Sequence, residues 1–145
     1  MATQYAKYYV STDHPAAMTD YLQLDPGTFR RLRYMDDKVV DGCEFGCDNI
    51  WLIPGDPGER KIMDADTRPY DRFFGFYAFN YENIRDLCAE LEVYIGGEKH
   101  IVNRSGAIFI PAGLEVGPVI FRNITKPIFL TVEFPCGEGL NRKYN

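Results

Sequence analysis

Short stretches of alternating or uniformly apolar residues, separated by turn residues, run along most of the chain after residue 28. The clearest is 90–95, where polar and apolar residues alternate strictly before a Gly-Gly pair, as in a half-buried strand. Strands are predicted at 29–34, 38–40, 43–53, 72–78, 90–95, 98–103, 107–110, 118–122 and 127–134. Many short strands at a spacing of about ten residues predict an all-β sandwich or barrel.

Two segments depart from this strand pattern. Residues 81–91 have apolar residues at helical spacing, although a loop that runs into a strand fits them at least as well. Residues 1–28 are predicted to form an N-terminal arm that ends in a Pro-Gly turn, and residues 29–145 to form one barrel domain. The arm has tyrosine and leucine side chains that it cannot bury alone, so we expect it to pack across the partner in a homodimer.

Length, charge and composition narrow the class of protein. The 145 residues predict a single domain, and the 14% of aromatic residues suits a β-rich core or an apolar ligand cavity. The net charge of −5 argues against a nucleic-acid partner. The apolar runs are too short to span a membrane, and residues 1–7 have no hydrophobic signal region, so we expect a cytoplasmic protein.

The segment 106–116, Gly-Ala-Ile-Phe-Ile-Pro-Ala-Gly-Leu-Glu-Val, resembles the second signature of the cupin barrel, G-x5-P-x-G-x2-H. Gly106, Pro111 and Gly113 occupy the signature positions, and Val116 stands where the signature has a metal-binding histidine. The resemblance implies a cupin-type jelly-roll barrel. Cupin barrels host many unrelated reactions, so the resemblance does not specify a function.

A larger part of the chain, from about 33 to 136, resembles an uncharacterised group of small cupin proteins of anaerobic bacteria. The matching pieces are RYMDD at 33–37, DRFFGFY at 71–77, AELEVYIGGEKH at 89–100, AIFIPAGL at 107–114 and KPIF at 126–129. In this resemblance the first cupin signature, H-x-H-x3-E, falls on Asp66, Arg68 and Arg72. A second register places it on Phe76, Ala78 and Glu82.

Both registers remove every histidine ligand of the family. Imidazole nitrogens are the ligands with which such a barrel holds iron, manganese, nickel or zinc, and arginine cannot replace them. We therefore predict that the protein has no metal and no other cofactor. The two histidines of the chain lie elsewhere: His14 in the arm, and His100, which we expect on the surface or on an edge strand. The C-x3-C pair Cys43 and Cys47 is expected to lie on one face of a strand. It has no second zinc-binding pair, so the cysteines are predicted to be free thiols.

The residues at the former metal positions suggest a different chemistry. Strand residues two apart share a face, so Asp66 and Arg68 point the same way, into the barrel in the first register, and Arg72 joins them. Arginine binds carboxylate or phosphate with a bidentate fork, and Asp66 is the candidate general acid or base. The alternative interpretation is a salt-bridged loop at the barrel rim.

An apolar wall of Phe74, Phe76, Val116 and Leu130 is predicted beside these charged residues, with Trp51 as its cap. In the family resemblance, Leu130 often matches another histidine. Tyr94 is a further candidate ligand-binding residue, on the polar face of a neighbouring strand together with the acid Glu92. The pattern favours a metal-independent isomerase or lyase acting on a small, largely apolar organic substrate with an anionic or polar end. The alternative is a non-catalytic small-molecule-binding or accessory protein on the same barrel.

Overall fold

The computed structural model describes residues 4–10, 29–55 and 58–144. Most of the predicted arm, including His14 and the turn at 25–28, lies outside these residues. The arm boundary and the homodimer therefore stay predictions. The strands are β1 (Phe29–Met35), β2 (Phe45–Leu52), β3 (Glu59–Met63), β4 (Arg72–Ala78), β5 (Asp86–Ile95), β6 (Glu98–Arg104), β7 (Gly106–Ile110), β8 (Val116–Arg122) and β9 (Ile128–Pro135). A 3-10 turn (Ala6–Tyr8) precedes them, and helix α1 (Glu138–Tyr144) follows them.

The strands form two antiparallel sheets, which confirms the all-β prediction. The five-stranded sheet has the order β1-β2-β9-β4-β7, and the four-stranded sheet has the order β3-β8-β5-β6. Consecutive strands β6 and β7 belong to different sheets, each at an edge. In the described part of the chain, the one α-helix has seven residues and is too short and too polar to cross a membrane.

One hydrophobic core lies between the sheets and takes side chains from both. Alternation along each strand decides which residues enter it, because successive side chains point to opposite faces. In the five-stranded sheet, Ile50 pairs with Leu130 and Leu130 pairs with Phe76, which places all three in one row of the inner face. From the four-stranded sheet, the fully buried side chains of Leu91 and Phe121 pack into the same core.

The structure differs from the predicted strands at residues 38–40 and at β3, and it decides between the two alternatives for 81–91. Residues 38–40 form a turn, because the N–H groups of Val39 and Val40 both bond to the Asp36 carbonyl. Strand β3 was not predicted, since three charged residues interrupt its apolar pattern. The loop alternative for 81–91 is correct, because the Asn80 and Asn83 side chains accept N–H groups two residues on and make local turns instead of a helix.

Candidate functional site

The loop between β3 and β4 brings the two cupin-like signatures together. Asp66 donates its N–H to the Val116 carbonyl at 2.8 Å and accepts the N–H of Val116 at 3.0 Å. Two residues on, the carbonyl of Arg68 accepts the N–H of Gly113 at 2.9 Å. The positions predicted from separate signatures are therefore direct neighbours, whereas Glu82 of the second register lies exposed in the β4–β5 loop.

Three charged side chains meet at this place. Asp66 Oδ2 accepts hydrogen bonds from Arg72 Nη1 at 2.9 Å and from Arg68 Nε at 3.1 Å. The side chain of Arg72 is 5% exposed and that of Asp66 18%, whereas Arg68 is 37% exposed at the rim. Within the described residues, the other oxygen of Asp66 has no hydrogen-bond partner. The structure thus brings the three predicted catalytic candidates into one cluster.

Arg72 lies on the inner face of β4, two residues before the core residue Phe74. Its Nε and Nη2 are both buried and have no hydrogen-bond partner among the described residues. These two nitrogens form one side of the guanidinium. Arg31 uses the same side to hold Asp48, with Nε to Oδ1 at 2.8 Å and Nη2 to Oδ2 at 3.0 Å. The geometry of Arg72 therefore suits a carboxylate that approaches in the same bidentate way.

The four predicted wall residues line the interior. Phe74, Phe76, Val116 and Leu130 all belong to the hydrophobic core and are no more than 4% exposed. The Phe74 and Phe76 rings pack with centroids 5.7 Å apart. The structure places these four on the same side of the sheets as Arg72, as the parity of their strands predicts.

Trp51 and Tyr94 are not brought to this site, and the prediction that Trp51 caps the interior wall is wrong. Trp51 lies between the buried Ile50 and Leu52, so alternation turns it to the outer face. There its ring packs against Phe79 at 5.2 Å and Phe129 at 5.1 Å.

Tyr94 follows the core residue Val93 and shares the outer face of β5 with Glu92. Glu92 forms ion pairs with Lys99 at 3.1 Å and Arg122 at 3.6 Å on that face. Those two cations hold the pKa of Glu92 below its usual range. This acid is therefore engaged in a surface ion-pair network outside the barrel.

The side chains at the former metal positions do not fit a metal. Asp66 is the one carboxylate there, it is bonded to two guanidiniums, and Val116 offers no donor atom. Across the described ranges, no three His, Cys, Asp or Glu side chains lie close enough together to hold an ion. His100 lies on edge strand β6, as predicted, at 3.6 Å from Glu98.

The cysteines are free, but their expected placement on one strand face is wrong. Cys43 precedes β2, and Cys47 lies within it. Burial raises the pKa of the Cys47 thiol, with Glu133 adding to the effect. For Cys136, burial and the nearby Cys43 raise the pKa to about 12, so that this thiol stays protonated at neutral pH.

A second buried acid was missed at the sequence level. Asp48 is fully buried on the inner face of β2, where Arg31 of the neighbouring strand neutralises it. Strand alternation could have identified this buried acid, because Asp48 falls on the same side of the strand as Ile50 and Leu52. Nearby, burial and the hydrogen bond to Asp36 raise the pKa of Tyr34 above its usual range.

Comparison with protein-family models finds no match, and comparison with curated proteins finds none. Among solved structures, the chain is similar to the cupin domain of Schizosaccharomyces pombe Cnp3, with 11% identity over 84% of this chain and 72% of that one, at a TM-score of 0.49. An oxalate oxidase matches with 17% identity, at a TM-score of 0.47. That match covers 77% of this chain, which spans about half, 53%, of the oxidase chain.

A third likeness covers more of the chain. Peruvianin-I, a cysteine peptidase from Thevetia peruviana latex, matches with 12% identity over 94% of this chain and 76% of that one, at a TM-score of 0.52. Identities at this level show the fold alone. The two antiparallel sheets around one core give the class: an all-β protein of the jelly-roll type, as the sequence predicted.

Proposed function

We propose that the barrel binds a small, largely apolar organic molecule through an anionic group held by Arg72, and that Asp66 transfers a proton on it without a metal. The reaction class that fits is isomerisation, cyclisation or dehydration. The observation that carries the proposal is the buried, unpartnered Nε–Nη2 side of Arg72.

The energetics of Arg72 favour an anionic ligand. A buried donor without a partner costs about 1–3 kcal/mol, and more for a charged group, so two on one side chain are a large local cost. A carboxylate that accepts both N–H groups would offset that cost with two charge-assisted hydrogen bonds. The apolar residues beside Arg72, such as Phe74, favour an organic body over a hydrated inorganic ion.

Asp66 has the position that proton transfer requires. One oxygen, Oδ2, is held by both arginines, which fixes the carboxylate plane. The other oxygen has no partner among the described residues, and the side chain is 18% exposed, so a bound molecule can reach it. As a base it would take a proton from carbon or oxygen of the substrate. Returning that proton to another atom completes an isomerisation, and returning it to a leaving hydroxyl completes a dehydration.

The packing of the interior favours the second candidate, a non-catalytic binding protein. Val116 and Leu130, which stand where the family resemblance places histidines, are each 1% exposed within the core. A barrel so filled leaves less room for a substrate to rearrange. Binding without turnover would use Arg72 in the same way and leave Asp66 as its structural partner.

The experiment measures binding and proton exchange separately. Native mass spectrometry of the purified protein identifies a retained small molecule, and a panel of monocarboxylates from acetate to benzoate is titrated by calorimetry. Arg72→Lys keeps the charge and loses the fork. We expect it to weaken carboxylate binding by about 10- to 100-fold, the equivalent of about 1.5–3 kcal/mol. Arg68→Lys, at the exposed rim, is the matched control and should change binding less.

Turnover is read as deuterium incorporation into the bound carboxylate, followed by proton NMR in heavy water. If the protein is an enzyme, Asp66→Asn keeps binding and lowers the exchange rate by about 10²–10⁴-fold. Binding without exchange in the unaltered protein would favour the non-catalytic candidate. Unchanged carboxylate binding in Arg72→Lys would contradict both.

A further inference from the structure

A cavity opens where the edge strands of the two sheets, β6 and β7, face each other. It has a volume of about 360 Å³. Its apolar wall comes from β4, β5, β6 and β7, with the side chains of Phe76, Val93, Ile95, Val102 and Ile108. We name it the edge cleft. Phe76 is its one wall residue that also belongs to the predicted ligand wall.

The edge cleft has a charged residue at one end and a titratable residue at the other. Strand β6 presents His100, Val102 and Arg104 to the cleft, each two residues from the next. At the rise of about 3.3 Å per residue, His100 and Arg104 stand about 13 Å apart along the strand. Glu98 lies 3.6 Å from His100, so the His100 end also carries negative charge. The Arg104 end is therefore the one that attracts an anion.

Arg104 also lines a polar pocket of about 450 Å³ that adjoins the edge cleft. The other residues of this pocket are Asn83, Arg85, Asp86 and Asn103. Two guanidiniums stand against the one carboxylate of Asp86, which also accepts the N–H of Cys88 at 3.0 Å. Neither the Arg85 nor the Arg104 side chain forms a hydrogen bond or ion pair with another described residue. The pocket thus has a net positive charge and unengaged donors next to an apolar cleft.

We propose that the edge cleft binds an unbranched alkyl carboxylate, with its carboxylate at Arg104 and its chain running along the cleft toward His100. Charge complementarity fixes the orientation, because the two ends of the cleft differ in charge. Apolar surface from four strands stabilises the chain by removing it from water. This site is separate from Arg72 and does not depend on the proposed function. In the β4–β7 pairing, Arg72 stands opposite Ile110, four residues along β7 from Gly106 at the Arg104 end.

The test uses octanoate as the probe and 1-octanol as its uncharged analogue, each titrated by NMR against the full chain. Arg104→Ala should weaken octanoate binding by about tenfold and leave octanol binding unchanged, with Arg104→Lys between the two. Arg30→Ala, an exposed arginine on β1, is the control for loss of charge and should change neither. Ile108→Trp fills the cleft and should remove both ligands.

Gly106→Ala provides a narrower change that the fold can accept. A Cβ at Gly106 would lie 3.5 Å from the Phe76 ring, which is ordinary contact, so the variant should fold and still weaken both probes. The proposal is overturned if octanoate does not bind at millimolar concentration, or if Arg104→Ala binds it as well as the parent. It is also overturned if Arg72→Lys removes octanoate binding while Arg104→Ala does not, a result that would leave the Arg72 site supported.

Discussion

Replacing Arg72 by Met should stabilise the ligand-free protein and abolish its stabilisation by carboxylates. Met has a long unbranched side chain that can fill the space of the arginine stem. The change removes one hydrogen bond, from Nη1 to Asp66 at 2.9 Å, and two buried donors without a partner. The sign of the change in the free energy of unfolding depends on whether the lost hydrogen bond contributes more than the two unsatisfied donors cost.

The magnitudes favour a net gain. A hydrogen bond to a charged group contributes about 1.5–3 kcal/mol, and each unsatisfied buried donor costs about 1–3 kcal/mol. Asp66 keeps its second bond, to Arg68, and is 18% exposed, so its charge is not left alone in the core. The central estimate is a gain of about 2 kcal/mol in the free energy of unfolding. For a domain of this size, that raises Tm by about 6 °C.

A matched control comes from Arg60, another buried arginine. Arg60 and Arg72 are each 6% exposed, but Arg60 donates to the carbonyls of Ile53 and Gly55 in the loop after β2. Arg60→Met removes satisfied hydrogen bonds and leaves carbonyls without a donor. It should therefore lower the free energy of unfolding by about 2–4 kcal/mol. The two substitutions are chemically identical and are expected to have opposite signs.

The assay is urea unfolding followed by circular dichroism, with and without a saturating monocarboxylate such as benzoate. The unaltered protein should gain stability with the ligand, and Arg72→Met should not. A loss of more than about 1 kcal/mol in ligand-free Arg72→Met would refute the reasoning, because it would show that Nε and Nη2 are already satisfied in solution.

Two further predictions concern other carboxylates. The hydrogen bonds from Lys143 and from the N–H of Ala112 lower the pKa of Asp71 from its ordinary value of 3.8 to about 2. The ionised Asp71 carboxylate therefore stabilises the fold at pH values above 3.8. This contribution is lost as the pH falls through about 2. Asp71→Asn should therefore lower stability at pH 6 but not at pH 2 in urea unfolding, and an equal deficit at both values would contradict this. Asp48→Asn should lower the free energy of unfolding by about 3 kcal/mol, because Arg31 would lose its buried counter-charge; a loss under about 1 kcal/mol would contradict it.

Alternation was enough to predict most of the fold. The stretch 72–78 coincides with β4, because aromatic residues favour strands and turns bound the stretch on both sides. The pattern failed where side-chain hydrogen bonds or charges override it. Val39 and Val40 have the apolar character of a strand, but they form a turn in which their N–H groups bond to the Asp36 carbonyl. In β3, charged residues interrupt the apolar pattern. The helix α1 was missed because seven residues carry too little periodicity to recognise.

The candidate site was predictable where a motif fixed the register and not elsewhere. The family resemblance placed Asp66 and Val116 at metal-ligand positions of the two signatures, and the structure pairs them directly. The prediction for Trp51 was wrong because strand alternation gives the inner face to its neighbours Ile50 and Leu52 and turns Trp51 outward. The pairing of Arg31 with Asp48 spans 17 residues, and only the strand register decides it. Such a contact depends on which strands are neighbours, which the local pattern does not encode.

Two arginines of the five-stranded sheet, Arg31 and Arg72, each pair with a carboxylate, and the two pairs differ in one way that bears on function. Arg31 donates two hydrogen bonds from its Nε–Nη2 side to Asp48. This bidentate pair is complete within the protein, so its role can be purely structural. Arg72 gives Asp66 only Nη1 and keeps the same side unpartnered. A single planar carboxylate that accepts both of these N–H groups is therefore the group that matches the geometry of this site.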